Sequence, residues 1–411
     1  MTRPPALTLR ARCVVPEAGR SLDDAWLRIR GGRVVGVGSG SCPAADHDLG
    51  DCIVLPGLVN AHTHLEFAML AAPLAGTDGL PAWIRRVVEL RRSRPHAPDH
   101  DAAAIARGLA ESAAAGVTSL GEISTGNWPT EPSRPMPRVR VFREGLGLSE
   151  TAAEAARHAV RRDLARLAAA GIATGISPHA PYSVSTSLGR SLLAIATRLR
   201  LPAAMHLAES EAEAELLASG AGEFRTLLDS LGAWPAAGPP RLTSAADWIS
   251  LLARGPRGLV VHGTFLDDEA LARFARHRDR LSLVICPRTT RLLSGALPPL
   301  PRFRAARLRV ALGTDSRASN PDLSVLAECR ALVDGGLARP AEALRMATVN
   351  GAWALGFERT AGVLAPGRAA DLAILRPGRP WTDPHEAALD PGTTVVATLR
   401  AGRLIHGAFD A

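Results

Sequence analysis

The stretch LPGLVNAHTHLEF, residues 55–67, decides how this chain is read. A Pro-Gly turn leads into an apolar run that predicts a strand over Leu58–His64. Alternation along a strand puts His62 and His64 on one face, so their imidazoles converge on one point. Neutral imidazole suits zinc or iron, and a catalytic site adds further protein ligands while keeping one position open for water.

Working outward, more strand-like runs follow: Val117–Glu122, Val139–Arg143, Ala173–Pro178, Ala203–Leu207, Gly258–His262, Leu281–Cys286 and Val310–Thr314. Between them lie helical stretches such as Asp101–Ala115, Ala152–Ala170, Ser187–Arg198 and Asp267–Arg276. Strand and helix patterns alternate eight times, the count of a (β/α)8 barrel. The fold class is therefore α/β, a TIM-like barrel. The two ends differ in style. ALTLRARCVV and DAWLRIRGGRVVGVG come before the barrel, GVLAPGRAADLAIL and TTVVATLRAGRLIHG after it. They predict a small β-sandwich built from both termini, residues 1–56 and 361–411, with the barrel over 57–360. Residues 215–257 form a long connection containing AAGPP, read as an insertion with its own helices near the substrate entrance.

Composition narrows the class. At 411 residues with 46% hydrophobic and 21% charged residues, the chain has the balance of a globular protein. No run approaches the length of about 20 apolar residues that a membrane span needs, and the N-terminus lacks the apolar core of a secretory signal. Cys13, Cys42, Cys52, Cys286 and Cys329 are scattered, odd in number and without CxxC spacing, which favours reduced thiols in a cytoplasm. The net charge of +8 comes with Arg as the sole basic residue besides histidine, since the chain has no Lys. The densest basic stretch, Arg85 to Arg94, reads as a solvated helix face, and without interleaved aromatics it does not point to nucleic acid. A small molecule is the expected partner, with a homo-oligomer left open.

Of the twelve histidines, His62, His64, His179, His206 and His262 fall at or just past the ends of predicted strands, the face where barrels build active sites. Any one alone reads as a satisfied core or surface residue; five together point to a site. His206, in AAMHLAESEAE, offers a third nitrogen, and Asp315, in ALGTDSRASN, an oxygen, although Asp315 also suits a helix N-cap. Glu209 lies three residues past His206, where partial burial would let it shuttle protons; the competing reading is solvation within the run Glu209, Glu211, Glu213 and Glu215. His262 is placed to hydrogen-bond water at the metal. His179 and Tyr182 are candidates for substrate contact, with packing the simpler role for Tyr182. The absence of Lys excludes a carboxylated lysine bridging two ions, and Schiff-base chemistry with it. One divalent ion, zinc or alternatively iron, is the expected cofactor, lowering the pKa of its water toward neutrality.

Taken in order, PGLVNAHTH, SPHAPYSVS, HLAE, VVHG, CPR, GTDSRASNPDLSVLAE and the segment Gly362 to Leu375 resemble the amidohydrolase superfamily, in its branch of mononuclear aminohydrolases. The resemblance covers nearly the whole chain. It implies His62, His64, His206 and Asp315 as metal ligands. It also implies Glu209 as the group that protonates a substrate ring nitrogen, His262 and Asp315 as the pair that orients and deprotonates water, and His179 as a substrate contact. HTHLEF followed by PAWIRRVVELR is most similar to the aminodeoxyfutalosine deaminase group, which places Glu66 and Trp83 at the pocket; a helix-start charge and a core aromatic are their equal alternatives. Relatives carry CPxSN after strand seven where this chain has CPRTTR, so Thr289 and Thr290 predict an altered pocket wall near Arg288. The function implied is hydrolytic deamination of an amino-substituted heterocycle, such as the adenine of a nucleoside, with release of ammonia. Hydrolysis of a cyclic amide or N-acyl bond at the same site is the alternative, and a catalytically dead scaffold is the reading from another class.

Overall fold

The computed structural model describes residues 6–41, 44–93, 98–130, 136–235 and 244–409. Cys42, Arg94 and the AAGPP segment lie outside them. Seven parallel strands run in chain order around a ring: β1 (Leu58–His64), β2 (Val117–Ser124), β3 (Arg138–Gly145), β4 (Ala173–Pro178), β5 (Ala203–Leu207), β6 (Gly258–His262) and β7 (Leu281–Ile285). The eighth, β8, is split. Val310–Leu312 pairs with β7, and after a break Asp315–Ser316 pairs with β1, so one segment closes the ring by bonding to both neighbours. Gly313 makes the closure possible: a Cβ there would stand 2.8 Å from the His62 Cβ.

Helices follow the strands because the sequence caps them. Ser149, Ser185, Ser210 and Asp267 each accept a hydrogen bond from a backbone N–H in the first turn of Glu150–Ala169, Thr186–Leu199, Glu211–Ser219 and Asp268–Arg276. Each such cap contributes about 1 kcal/mol. Inside the ring, Val59, Ile123, Phe142, Leu259, Val261 and Val284 pack with Ala352, Leu355 and Phe357 from a segment after β8. His62, His64, His206 and His262 lie at or next to the C-terminal ends of their strands.

The two chain ends form a second sheet. Its strand order is Arg403–Gly407, Thr394–Arg400, Leu372–Arg376, Ile53–Pro56, Leu7–Glu17, Arg20–Arg30 and Arg33–Ser39. The sheet folds over its own core of Leu9, Leu27, Ile29, Val54, Ile374 and Leu399. The sandwich anticipated from the sequence is therefore one hydrogen-bonded sheet curled on itself. Its two outer hairpin turns nearly touch, and Gly32 allows it: a Cβ at this position (φ +77°) would meet the Ala401 carbonyl oxygen at 2.7 Å. Cys13, Cys52, Cys286 and Cys329 are buried and free. No described helix is long and apolar enough to cross a membrane.

Candidate active site

His62 and His64 close β1, His206 lies in β5, His262 ends β6, and Asp315 opens the second part of β8. All five are buried. The rings of His62, His64 and His206 stand 4.9 to 5.3 Å apart, centroid to centroid. The Nε2 atoms of His64 and His206 are 3.2 Å apart, and Oδ1 of Asp315 lies 3.5 Å from Nε2 of both His62 and His64.

The hydrogen bonds settle what these atoms offer. Nδ1 of His206 is 3.0 Å from the His179 carbonyl oxygen, which can only accept, so the proton is on Nδ1 and the Nε2 lone pair points inward. Nε2 of His62 is buried and makes no hydrogen bond, with the Asp315 carboxylate 3.5 Å away. Burial, reinforced by the neighbouring His62, holds His64 and His206 well below the usual imidazole range, hence neutral. Nitrogens about 2.0–2.1 Å from a shared tetrahedral ion would be roughly 3.3 Å apart. The trio thus fits a divalent cation, each ring offering a nitrogen within 4.8 Å of the others.

Asp315 is fixed from its other side, where Ser319 Oγ donates to its Oδ2 at 2.7 Å. Burial alone would raise the Asp315 carboxyl, and the imidazoles of His62, His64 and His262 overcome that and lower it. His262 and Asp315 both have left-handed backbones, φ +69° and +56°. Such residues cost on the order of 1–3 kcal/mol each and gather at functional sites.

Glu209 faces His262, with Oε1 3.3 Å from Nε2. Burial, then the charges of Asp315 and Glu213, push the Glu209 carboxyl well up, while burial lowers His262 to about 4. Burial thus favours the neutral form of the imidazole and the protonated form of the acid beside it. Its position depends on Glu213, whose Oε1 accepts from Ala208 N–H at 2.8 Å and whose Oε2 accepts from Glu209 N–H at 3.2 Å. The glutamate run is therefore not a uniformly solvated face: Glu211 and Glu215 are exposed, whereas Glu213 is fully buried.

A cavity opens above these groups, lined by His64, His179, His206, Glu209, His262 and Asp315 at its base. Its roof comes from Leu80–Ser93, through Trp83, Ile84 and Val87, and from Glu223–Ser230, through Phe224, Leu227 and Leu228. The second helix belongs to the anticipated insertion; Ala245–Leu252, later in that stretch, packs against Asp268–Arg276 as a barrel helix. Tyr182 lines the cavity and stacks on Phe224 at 4.1 Å, and Trp83 Nε1–H donates to the Ala318 carbonyl at 3.2 Å. Arg91 also lines the cavity, paired with Glu66, so the basic stretch is not wholly a solvated face.

Arg288 is a correction. It does not line the cavity: its guanidinium is spent on Asp322 and on the buried Glu328, at 2.6 Å each. Thr289 and Thr290 are buried as well, and Thr289 contacts Ser319, the residue that holds Asp315. The departure from CPxSN therefore lies behind Asp315, not in a pocket wall.

Sequence reasoning missed three supporting residues. Asn60 ties β1 to β8 through both the backbone N–H and the hydroxyl of Thr314. Glu122 accepts from Leu65 N–H and from the Thr63 hydroxyl, fixing the backbone around His64. Glu144 ends β3 with a buried carboxyl that burial raises to about 8. Its place at a strand's C-terminal end was the available signal, the same one that marked the histidines.

Residues 53–405 match the model of the Amidohydrolase family. A 5-methylthioadenosine/S-adenosylhomocysteine deaminase of Halobacterium salinarum is 32% identical, over 91% of this chain and 86% of that one. Another, of Syntrophobacter fumaroxidans, is 29% identical over 94% and 87%. Among solved structures, the aminofutalosine deaminase of Helicobacter pylori in complex with methylthio-coformycin superposes with a TM-score of 0.83 at 25% identity, covering 97% of this chain and all of that one.

Proposed function

The chain belongs to the amidohydrolase family, and from that premise we propose that it deaminates adenine-bearing nucleosides by hydrolysis, releasing ammonia. It is a hydrolase of carbon–nitrogen bonds, as its deaminase relatives are. The similar proteins act, by their names, on methylthioadenosine, S-adenosylhomocysteine and aminofutalosine. The first two are adenosine derivatives, with an adenine whose amino group a hydrolase would replace.

His62, His64, His206 and Asp315 would hold a single divalent ion, with zinc the first choice for three imidazoles and a carboxylate. Such an ion supplies Lewis acidity that makes water a nucleophile near neutral pH. The protein's own groups do the rest. Asp315, kept ionised by the imidazoles around it, takes the proton from the attacking water and passes it to the amino group, which leaves as ammonia. Neutral His262 orients that water. Glu209, kept protonated by burial, delivers its proton to the ring nitrogen next to the amino-bearing carbon, so the ring accepts the new bond without building up charge. The apolar roof shuts out bulk water and receives the substituent beyond the ribose.

The observation that carries this reading is the Glu209 carboxyl, its side chain 9% exposed, held 3.3 Å from His262 in the cavity that His64 and His206 also line. Ammonia release from a panel of adenine nucleosides, run beside cyclic amides and N-acyl compounds, tests it. Release from a nucleoside with no turnover of the amides supports the proposal; the reverse pattern overturns it.

A further inference from the structure

Glu144 has no part in the mechanism above, yet it is buried with neither carboxyl oxygen hydrogen-bonded. One of those oxygens lies within 4.8 Å of a ring nitrogen of His179 and of His206. Leu146, two residues on, lines the cavity, as do His179 and His206 themselves. A buried carboxyl group without partners is unfavourable, and it is kept where something outside the protein satisfies it.

The neighbouring hydrogen bonds say what that partner is. The Ser183 hydroxyl donates its one proton to the Ala180 carbonyl at 3.1 Å. In that arrangement it accepts from Nδ1–H of His179, 2.5 Å away, which leaves Nε2 of His179 as a lone pair. The Glu144 carboxyl, which burial raises to about 8, thus stands beside the His179 ring with no hydrogen bond of its own, and a hydroxyl, which both donates and accepts, suits either form of it. A second cation would need His206, whose inward nitrogen already faces His64 at 3.2 Å. Two neighbouring hydroxyl groups supply one partner for each side chain.

We propose that Glu144 and Nε2 of His179 receive the vicinal hydroxyls of a ribose, making Glu144 the residue that selects ribonucleosides over their deoxy counterparts. This rests on the nucleoside reading above. The deaminated product inosine and its 2′,3′-dideoxy form do not react further, so calorimetric binding of both to the metal-loaded protein isolates the contact. Wild type is expected to favour inosine by roughly tenfold to a hundredfold, the range for two hydrogen bonds of about 0.5–1.5 kcal/mol each. Glu144→Met and Glu144→Leu should lose at least tenfold of that preference, chiefly through weaker inosine binding, with metal content unchanged. Glu144→Met should also raise Tm, because it removes an unpaired buried acid; a purely structural residue would lower it. Variants that keep the preference, weaken both ligands equally or lose the metal would overturn the proposal. If wild type deaminates nucleosides while the variants keep the preference, only this inference falls. If wild type neither binds inosine nor releases ammonia from any nucleoside, both fall.

Discussion

The Nε2 atoms of His64 and His206 lie 3.2 Å apart, although 142 residues separate them in the chain. The His206 Nε2 lone pair is set by the His179 carbonyl behind its ring, so two buried neutral imidazoles are held against each other with little between them but room for a cation. Removing the His206 ring should empty the site. His206→Ala is expected to purify with less than a tenth of the metal of wild type. Chelation should lower the Tm of wild type but not of the variant, since an ion at a hundred times its dissociation constant stabilises by about 2.7 kcal/mol. Elemental analysis and a thermal melt check both.

Glu209 is assigned proton delivery, not metal binding. Glu209→Gln keeps shape and burial and removes the proton. It should lower kcat by on the order of 10²–10⁴-fold with metal content and KM little changed. Steady-state ammonia release measures it, and loss of metal in this variant would contradict the assignment.

Glu213 gives a pH-dependent stability. Burial raises its carboxyl from 4.5 to about 7 despite the two N–H donors it accepts. Between those values the folded chain keeps a proton that the unfolded chain has released. The contribution is full below pH 4.5 and is lost as pH rises through 7. Across that window wild type should lose on the order of 3 kcal/mol relative to Glu213→Gln. Urea unfolding of both proteins at a series of pH values tests it, and parallel curves would contradict it.

Arg288 separates a structural role from a binding one. With its guanidinium between Asp322 and buried Glu328, Arg288→Met leaves Glu328 without its counter-charge. It should destabilise the fold by about 3–5 kcal/mol. Because Arg288 does not line the cavity, KM should hold in the protein that remains folded. A raised KM with unchanged Tm would put Arg288 back at the substrate.

Ring closure hangs on Gly313. An added methyl would press on the Cβ and backbone of His62 at 2.8 to 3.1 Å. Gly313→Ala should therefore weaken metal retention and stability together, by about 1–3 kcal/mol for the overpacking. A variant as stable and as metal-rich as wild type would show that β8 can yield there.

Much of this arrangement was legible in the sequence because barrel strands are short apolar runs whose chemistry sits at one end. Leu58–His64, Ala173–Pro178, Ala203–Leu207 and Gly258–His262 have the bounds read from the sequence. What escaped depends on distant partners. The final strand breaks at Gly313 and Thr314 because it must pair on both sides, and a local pattern shows only one strand. Arg91 looked solvated because its partner, Glu66, lies 25 residues earlier. Glu213 looked like its neighbours Glu211 and Glu215 until helical periodicity turned it inward. Arg288 was placed at the pocket by its position after β7, but two carboxylates from the 322–328 segment draw it away.

The central claim is that water replaces the amino group of an adenine nucleoside, and isotope incorporation tests it most directly. Metal-loaded protein incubated with 5′-methylthioadenosine in ¹⁸O-labelled water should release one ammonia per turnover and give a product with one labelled oxygen on the ring carbon that bore the amino group. Turnover without label at that carbon, or no ammonia from this or any other adenine nucleoside, would contradict the account.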